Sequence, residues 1–503
     1  MKGCEEMKKQ PNTVFIVSLI ISVVFVIIGS LFPTEFQAKA TVIQNFLQEK
    51  FGWFYLLSAT SFLIFVLYLA FSKYGKIKLG EPDDKPEYST ITWFAMLFSA
   101  GMGIGLVFWG VAEPISHFYT PPSGEGGNAA SAQAALRYSF FHWGLHPWGI
   151  YTLIGLSLAY FKFRKGAPGL ISAIFTPLLG DKVHGPIGKT IDIIAVFATI
   201  FGVATSLGLG AVQISGGVSY LTNIANNFTT QLIIIGIVTV LFTLSAQTGL
   251  NKGIKYLSNL NIIIAVLLMA FLLFASSTNF IMDVFVQSLG NYLQYLPSMS
   301  LKLSPFRPSE AGWIQGWTVF YWAWWIAWAP FVGTFIARVS KGRTIREFIM
   351  GVLLVPTVFG ALWFSIFGGA ALHLEIFNNV GLNKIIADKG TEVALFALFE
   401  HLPFGTIMSL LAIFLISTFF ITSADSATFV LGMQTSDGRL NPTSMTKFIW
   451  GIVIAAASSI LLYTGGLEGL QTASIIAAFP FAFVLIFMMI SLKKALSEET
   501  KLK

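Results

Sequence analysis

The chain has 503 residues, of which 55% are hydrophobic, 15% aromatic and only 11% Asp, Glu, Lys or Arg, against roughly a quarter charged in soluble domains. That composition excludes a water-soluble globule, and it turns the formal net charge of +7 into a question of where the basic residues lie rather than a sign of nucleic-acid binding. The single cysteine, Cys4, permits neither an internal disulfide nor a cysteine metal cluster, so the fold must rest on helix packing.

About 20 mostly apolar residues span the hydrocarbon core as a helix, and twelve runs of that kind follow one another. They cover Val14 to Phe32, Trp53 to Ser72, Ile91 to Val111, Gln133 to Phe161, Thr190 to Val212, Gln231 to Ser245 and Tyr256 to Ala275. After a connection come Gly312 to Ala337, Glu347 to Leu372, Phe404 to Ser423, Thr446 to Tyr463 and Ser474 to Leu492. No small-residue cleavage site follows the first run, so it reads as a retained helix and not as a signal peptide. Within the connection, Asn279 to Leu296 is interrupted by Asp283, Gly290 and Asn291 and reads as an amphipathic helix at the outer surface. The expected organisation is a short cytoplasmic tail (1–13), two accessory helices (14–72), a first five-helix unit (91–275), the outer connection (276–311), a second five-helix unit (312–492) and a short tail (493–503), with no appended soluble domain.

With the N-terminus inside and loops alternating, 24 of the 31 basic residues fall on inside segments, counting Lys447 at the inner edge of the eleventh run, with six outside and Arg137 deep within a span. Both termini are therefore expected in the cytoplasm. The cluster Arg338, Lys341, Arg343 and Arg346 reads mainly as an anchor of this kind, and Arg137 as a partner for a carboxylate or a lipid phosphate.

Broken helices are tolerated at membrane depth only where they line a cavity, and two spans look breakable. The third carries Gly101, Gly103 and Gly105 at alternate positions; the eighth runs from Phe320 to Pro330 with four tryptophans before the proline. Gly101 and Gly105 equally form a G-x-x-x-G pair for close helix packing. The two spans are five helices apart, an odd number, so repeats formed by spans three to seven and eight to twelve must be inverted, as in secondary transporters that bind at the midplane. Tryptophan usually marks the membrane interface, yet Trp325 lies near mid-span, as do Trp143, Trp148 and Tyr151. At 100° per residue the last three share one broad helix face, as do Trp325 and Trp328. Two aromatic faces at this depth either pack as core or form a box for a quaternary ammonium, and neither cluster contains an acidic residue, which favours a ligand that carries its own counter-charge.

At the end of the tenth span stand Thr422, Ser423, Ala424, Asp425 and Ser426. Hard oxygens suit a small cation such as Na+, with carbonyls freed by the glycine break completing its shell; the alternative is a helix end whose hydroxyls bond back to the preceding turn. His142 and His146 are four apart, but with no third ligand nearby they read as satisfied buried imidazoles, and Pro147 suggests a local kink. No catalytic constellation is present.

The run from Gly101 to Gly105 with Ala112-Glu113-Pro114, the segment WTVFYWAWWIAWAPFVGTFIAR from Trp317 to Arg338 and the GRTIREF from Gly342 to Phe348 resemble the betaine/choline/carnitine transporter family over all twelve spans, and most of all its short-tailed glycine betaine members from Gram-positive bacteria. The resemblance implies an all-α integral membrane protein of twelve transmembrane helices, a LeuT-like 5+5 inverted repeat after two extra helices, a homotrimer and Na+-driven uptake of compatible solutes for osmoprotection across the bacterial cytoplasmic membrane. By the same resemblance the ammonium box falls on Trp143, Trp148, Tyr151 and Trp325, with Trp324 and Trp328 lining the route. One sodium site falls on backbone around Ser99 and Met102 with the hydroxyls of Thr422 and Ser423. A second falls on Thr199, Ser206 and Phe331, where Val203 replaces a threonine of a relative. Choline-type members tend to carry Asp where this chain has Gly105, which favours a zwitterion, and no Lys or Arg from Thr190 to Val212 takes the place of the ion as in carnitine exchangers.

The expectation is thus an alternating-access symporter, not an enzyme, with Na+ as coupling ion, no other cofactor and no nucleic-acid partner. A carnitine- or choline-type transporter of the same family and a passive osmolyte channel are the alternatives.

Overall fold

The computed structural model describes residues 12–101, 103–247, 251–439 and 441–501, and side chains throughout these except at 98–101, 246–247 and 251–255. The described residues are helical almost from end to end. In chain order the long helices are α1 (Thr13–Leu31), α2 (Pro33–Phe71), α3 (Thr90–Gly101), α4 (Ile104–Tyr119), α5 (Ala129–Trp143), α6 (Leu145–Ala159) and α7 (Pro186–Leu221). There follow α8 (Phe228–Gln247), α9 (Asn251–Ala275), α10 (Thr278–Ser300), α11 (Pro308–Arg338), α12 (Ile345–Phe377), α13 (Gly405–Gln434) and α14 (Ser444–Lys501). Local signals set their starts. Asn12 caps α1 through its side chain, Asn128 and Ser131 form a capping box on α5, and Thr344 and Glu347 form another on α12; each satisfies amide groups that a helix end leaves without partners. Pro33, Pro186 and Pro308 open α2, α7 and α11, where the missing N–H costs nothing.

Nine helices among the described residues are each long and apolar enough to cross a bilayer, which makes this a multi-pass membrane protein. The difference from twelve single spans has a physical origin. The third and fourth expected spans are each split into two helices, and the eleventh and twelfth run together as α14 across Gly466, whose φ of 55° and ψ of −136° suit only a residue without a Cβ. The tenth span extends well past its expected end at Ser423, to Gln434. Residues expected as a C-terminal tail continue α14 to Lys501, where Glu499 accepts from Tyr160 (2.7 Å) and from Nη2 of Arg164 (2.7 Å).

Helix α7 and helix α11 form the centre, with 83% and 78% of their apolar windows buried, against 22% for α1 and 17% for α8. The outer helices expose Ile20, Leu31, Ile233 and Phe274, the surface expected against lipid tails. Gly202 lets α7 approach α11 so closely that a Cβ there would lie 2.8 Å from the Ala327 carbonyl carbon, and this fixes the depth at which α11 holds its tryptophans.

The basic cluster after α11, expected mainly as an anchor, makes directed contacts within the fold. Arg343 lies over the Trp93 ring at 4.0 Å and donates to the Tyr88 carbonyl (2.9 Å), while Arg346 donates to the Ala70 carbonyl (2.8 Å). Arg137 sits over the Tyr295 ring at 4.5 Å, a cation–π contact where a carboxylate or phosphate partner was expected.

Candidate functional site

Two interrupted helices meet at the centre of the molecule. Helix α3 ends at Gly101, Gly103 is extended (φ −157°, ψ −177°), and α4 begins at Ile104, so the glycine run is a break. Met102 lies outside the described residues, and so does the side chain of Ser99. The second interruption, at Gly144 (φ −99°, ψ −129°) between α5 and α6, falls three residues before the kink expected at Pro147. Pro147 sits in the first turn of α6, where its missing N–H is one that no helix would pair. Tyr292, from the outer helix α10, reaches into this gap and accepts the Leu145 amide at 3.0 Å, pairing a group the break would leave unsatisfied. By contrast α11 stays helical through Pro330, with a π-helical turn at Gln315–Val319. The expected break among its tryptophans does not occur.

The rings gather where the interruptions face α11. Trp143, the last residue of α5, meets Trp325 edge to face, with centroids 4.8 Å apart and planes at 74°. Tyr151 meets Trp148 at 5.5 Å and 81°, and Trp325 at 6.2 Å and 79°. Because Gly144 interrupts the helix, the angular argument that put Trp143 on one face with Trp148 and Tyr151 does not apply across it, yet the break itself turns all three toward one chamber. That chamber, of about 30 Å³, is lined by Leu106, Trp143, Trp148, Tyr151, Trp325 and Trp328 among others, and holds a few waters at most. Trp324 stands behind it, stacked on Trp325 at 4.7 Å and 14°, and supports the wall instead of lining it. Gly105 makes room for these rings: a Cβ there would come 2.6 Å from Cη2 of Trp324 and 3.1 Å from Cη2 of Trp143. The Tyr151 hydroxyl and the Trp328 indole nitrogen are buried without a hydrogen-bond partner among the described residues.

An acidic residue does stand at this cluster, contrary to expectation. Glu113 of α4, fully buried, accepts from Trp143 Nε1 (2.8 Å) and the Tyr321 hydroxyl (2.5 Å) on Oε2. Its Oε1 meets His142 Nδ1 (2.8 Å) and His117 Nε2 (3.1 Å). His142 also pairs through Nε2 with Thr318 Oγ1 at 3.0 Å, and its carbonyl accepts from Trp325 Nε1 at 2.9 Å. His142 is thus satisfied as expected, but its neighbours are Glu113 and His117, whose ligand-type atoms lie within 4.8 Å of its own. His146 instead stacks on Trp322 at 5.1 Å and 14°, and its Nδ1 is buried without a partner among the described residues, so it is not satisfied as expected. Glu113 lies two residues past the expected end of the third span at Val111, and it is drawn into the bundle because α4 continues to Tyr119; a carboxylate buried there is costly and by default functional.

A second, larger cavity of about 810 Å³ lies on the far side of Trp328, lined among others by Met96, Asn261, Trp328, Phe331, Thr422 and Ser423. Thr422 sits within α13, donates to the Thr418 carbonyl (3.0 Å) and accepts from Asn261 Nδ2 (3.3 Å), so the oxygen-rich segment is mid-helix and not a helix end. Thr199 and Ser206 of α7 are buried and bond back to the Ala195 and Gly202 carbonyls (2.7 and 3.4 Å); Phe331 lines the cavity and they do not. Thr205 joins α7 to α14, meeting the Leu470 carbonyl (2.9 Å) and Ser474 Oγ (2.8 Å).

A multi-pass helical bundle with interrupted helices around a small central chamber has the architecture of a membrane transporter. The family model described as betaine/carnitine/choline family transporter matches residues 13–501, and the chain belongs to that family. It is 54% identical to a glycine betaine transporter of Bacillus subtilis (strain 168), over 98% of this chain and 96% of that relative. It is 48% identical to a probable glycine betaine transporter of Desulfitobacterium hafniense (strain Y51), over 98% of each chain. To an ectoine/hydroxyectoine transporter of Virgibacillus pantothenticus it is 46% identical, over 97% of each.

Proposed function

We propose that the protein imports glycine betaine, or a closely related zwitterionic compatible solute, together with Na+ by alternating access, and so serves osmoprotection in the bacterial cytoplasmic membrane with both termini inside. The observation that carries this reading is the chamber walled by Trp143, Trp148, Tyr151 and Trp325. Aromatic faces attract a quaternary ammonium with about 2 kcal/mol or more per ring once water is excluded, and such a cation needs no hydrogen bond in return. The ligand's own carboxylate would then find the Tyr151 hydroxyl and the Trp328 N–H, two buried donors on the chamber lining without a partner among the described residues.

The cavity beyond Trp328 reaches Tyr88 and Thr92, at the end of the bundle that carries the basic loops, so it supports a pathway leading to the cytoplasm. Thr422 and Ser423 on its wall, with the backbone freed at the third-span break, supply oxygens for Na+. The gradient and an inside-negative potential then drive accumulation, about 2.3 kcal/mol per unit charge per 100 mV. Twelve crossings, in two inverted five-helix units, and a trimeric assembly complete the proposal.

Uptake of radiolabelled glycine betaine into proteoliposomes tests it. Accumulation above the outside concentration that requires an inward Na+ gradient is expected. Equal flux without the gradient would sink the symport reading, and flux that merely equilibrates would favour a passive channel.

A further inference from the structure

The buried carboxylate against the chamber wall calls for an account, because an ion at this depth costs several kcal/mol unless it is fully paired. Glu113 is paired at every side. An indole N–H, a phenol hydroxyl and two imidazole nitrogens converge on its two oxygens at 2.8, 2.5, 2.8 and 3.1 Å. The indole can only donate and the phenol hydroxyl donates as well, and a carboxylate that accepts from such groups is suited to the ionised form. Of the four partners, Trp143 alone belongs to the lining of the chamber, and His142 holds a second lining residue, Trp325, through its carbonyl.

We propose that Glu113 is a specificity-determining positioning residue: through the Trp143 N–H it fixes that ring on the chamber wall and raises the ring's attraction for a permanent positive charge. An indole whose N–H is bonded to an anion carries more negative charge on its π-face, and cation–π attraction is electrostatic in origin. The same bond locks the ring's rotation, so less order has to be imposed when ligand arrives. The carboxylate thus acts at one remove. It never touches the ligand, leaves the wall itself apolar, and makes the chamber prefer an ammonium over a neutral group of the same shape.

This rests on the chamber being the site for a quaternary ammonium, and the test separates the two claims. Binding of radiolabelled glycine betaine to purified protein in lipid is measured for wild type, Glu113→Gln, Trp143→Phe and the double variant, with 3,3-dimethylbutyrate, the carbon isostere that lacks the ammonium charge, as competitor. Glu113→Gln is expected to weaken betaine about tenfold and the isostere hardly at all, and to have less than about twofold effect once Trp143 is Phe, because interacting groups are not additive. The same tenfold loss in both backgrounds, or equal losses for both ligands, would overturn the proposal. If Glu113→Gln does not fold, Trp143→Phe alone decides: the preference for betaine over its isostere must fall, and an unchanged preference overturns the assignment. Wild type that fails to bind betaine would instead sink the reading of the chamber.

Discussion

The aromatic chamber and the cavity beyond Trp328 are neighbours that share that residue, yet they are built in opposite ways. The chamber is small and held by directed bonds. Trp143 is tied to Glu113, Trp325 to the His142 carbonyl, and Trp324 is stacked behind Trp325. The cavity is about 810 Å³, and its polar wall includes Thr422, Ser423 and Asn261, with Thr422 partly satisfied by bonding back to its own helix. A pre-organised wall suits recognition, where ordering a ring on binding would cost affinity; a roomy, hydroxyl-lined wall suits passage and a hydrated cation. On the proposed reading, specificity belongs to the chamber and Na+ coupling to the cavity, on either side of a single tryptophan.

The contrast can be broken most strongly at the chamber. Trp325→Leu removes one aromatic face and should cost betaine binding about 2 kcal/mol, roughly thirtyfold in affinity, measured by competition with radiolabelled betaine; an unchanged affinity would remove the box from the account. Next in size, Gly105→Ala places a Cβ 2.6 Å from Trp324 and 3.1 Å from Trp143. Overpacking of that kind costs about 1 to 3 kcal/mol of stability, so a thermal melt should show a lowered midpoint, and because the displaced rings are those of the chamber wall, betaine affinity should fall as well.

The other side of Trp328 should respond differently. Thr422→Ala is expected to raise the Na+ concentration for half-maximal uptake about fivefold, the worth of roughly one hydrogen bond, while betaine affinity at saturating Na+ stays as in wild type. Loss of betaine affinity with an unchanged Na+ requirement would show that the two regions are not divided as described. Asn261→Ala removes the 3.3 Å contact to Thr422 and should shift the Na+ requirement about twofold or less, the smallest effect of the series.

The difference between the regions also governs what the sequence could reveal. Trp143, Trp148, Tyr151 and Trp325 were legible because large aromatic residues at mid-span contradict the interface rule, and the third-span break was legible because three glycines alternate there. What escaped depended on contacts distant in sequence. Glu113 lies 30 residues before Trp143, and nothing in a linear reading says that they touch. The gap at Gly144 is held open by Tyr292, so the expected kink at Pro147 was placed three residues late. The tryptophan run kept its helix because α11 is wedged against α7 at Gly202, a packing constraint that overrides the local signal of Pro330.

The decisive measurement is a structure of the protein with glycine betaine bound. The trimethylammonium group is expected within about 6 Å of the ring centroids of Trp143, Trp148, Tyr151 and Trp325, the range of cation–π contact, in a chamber widened around it while Trp143 keeps its bond to Glu113. Betaine found instead beside Thr422 and Asn261, with the chamber still closed, would contradict that expectation.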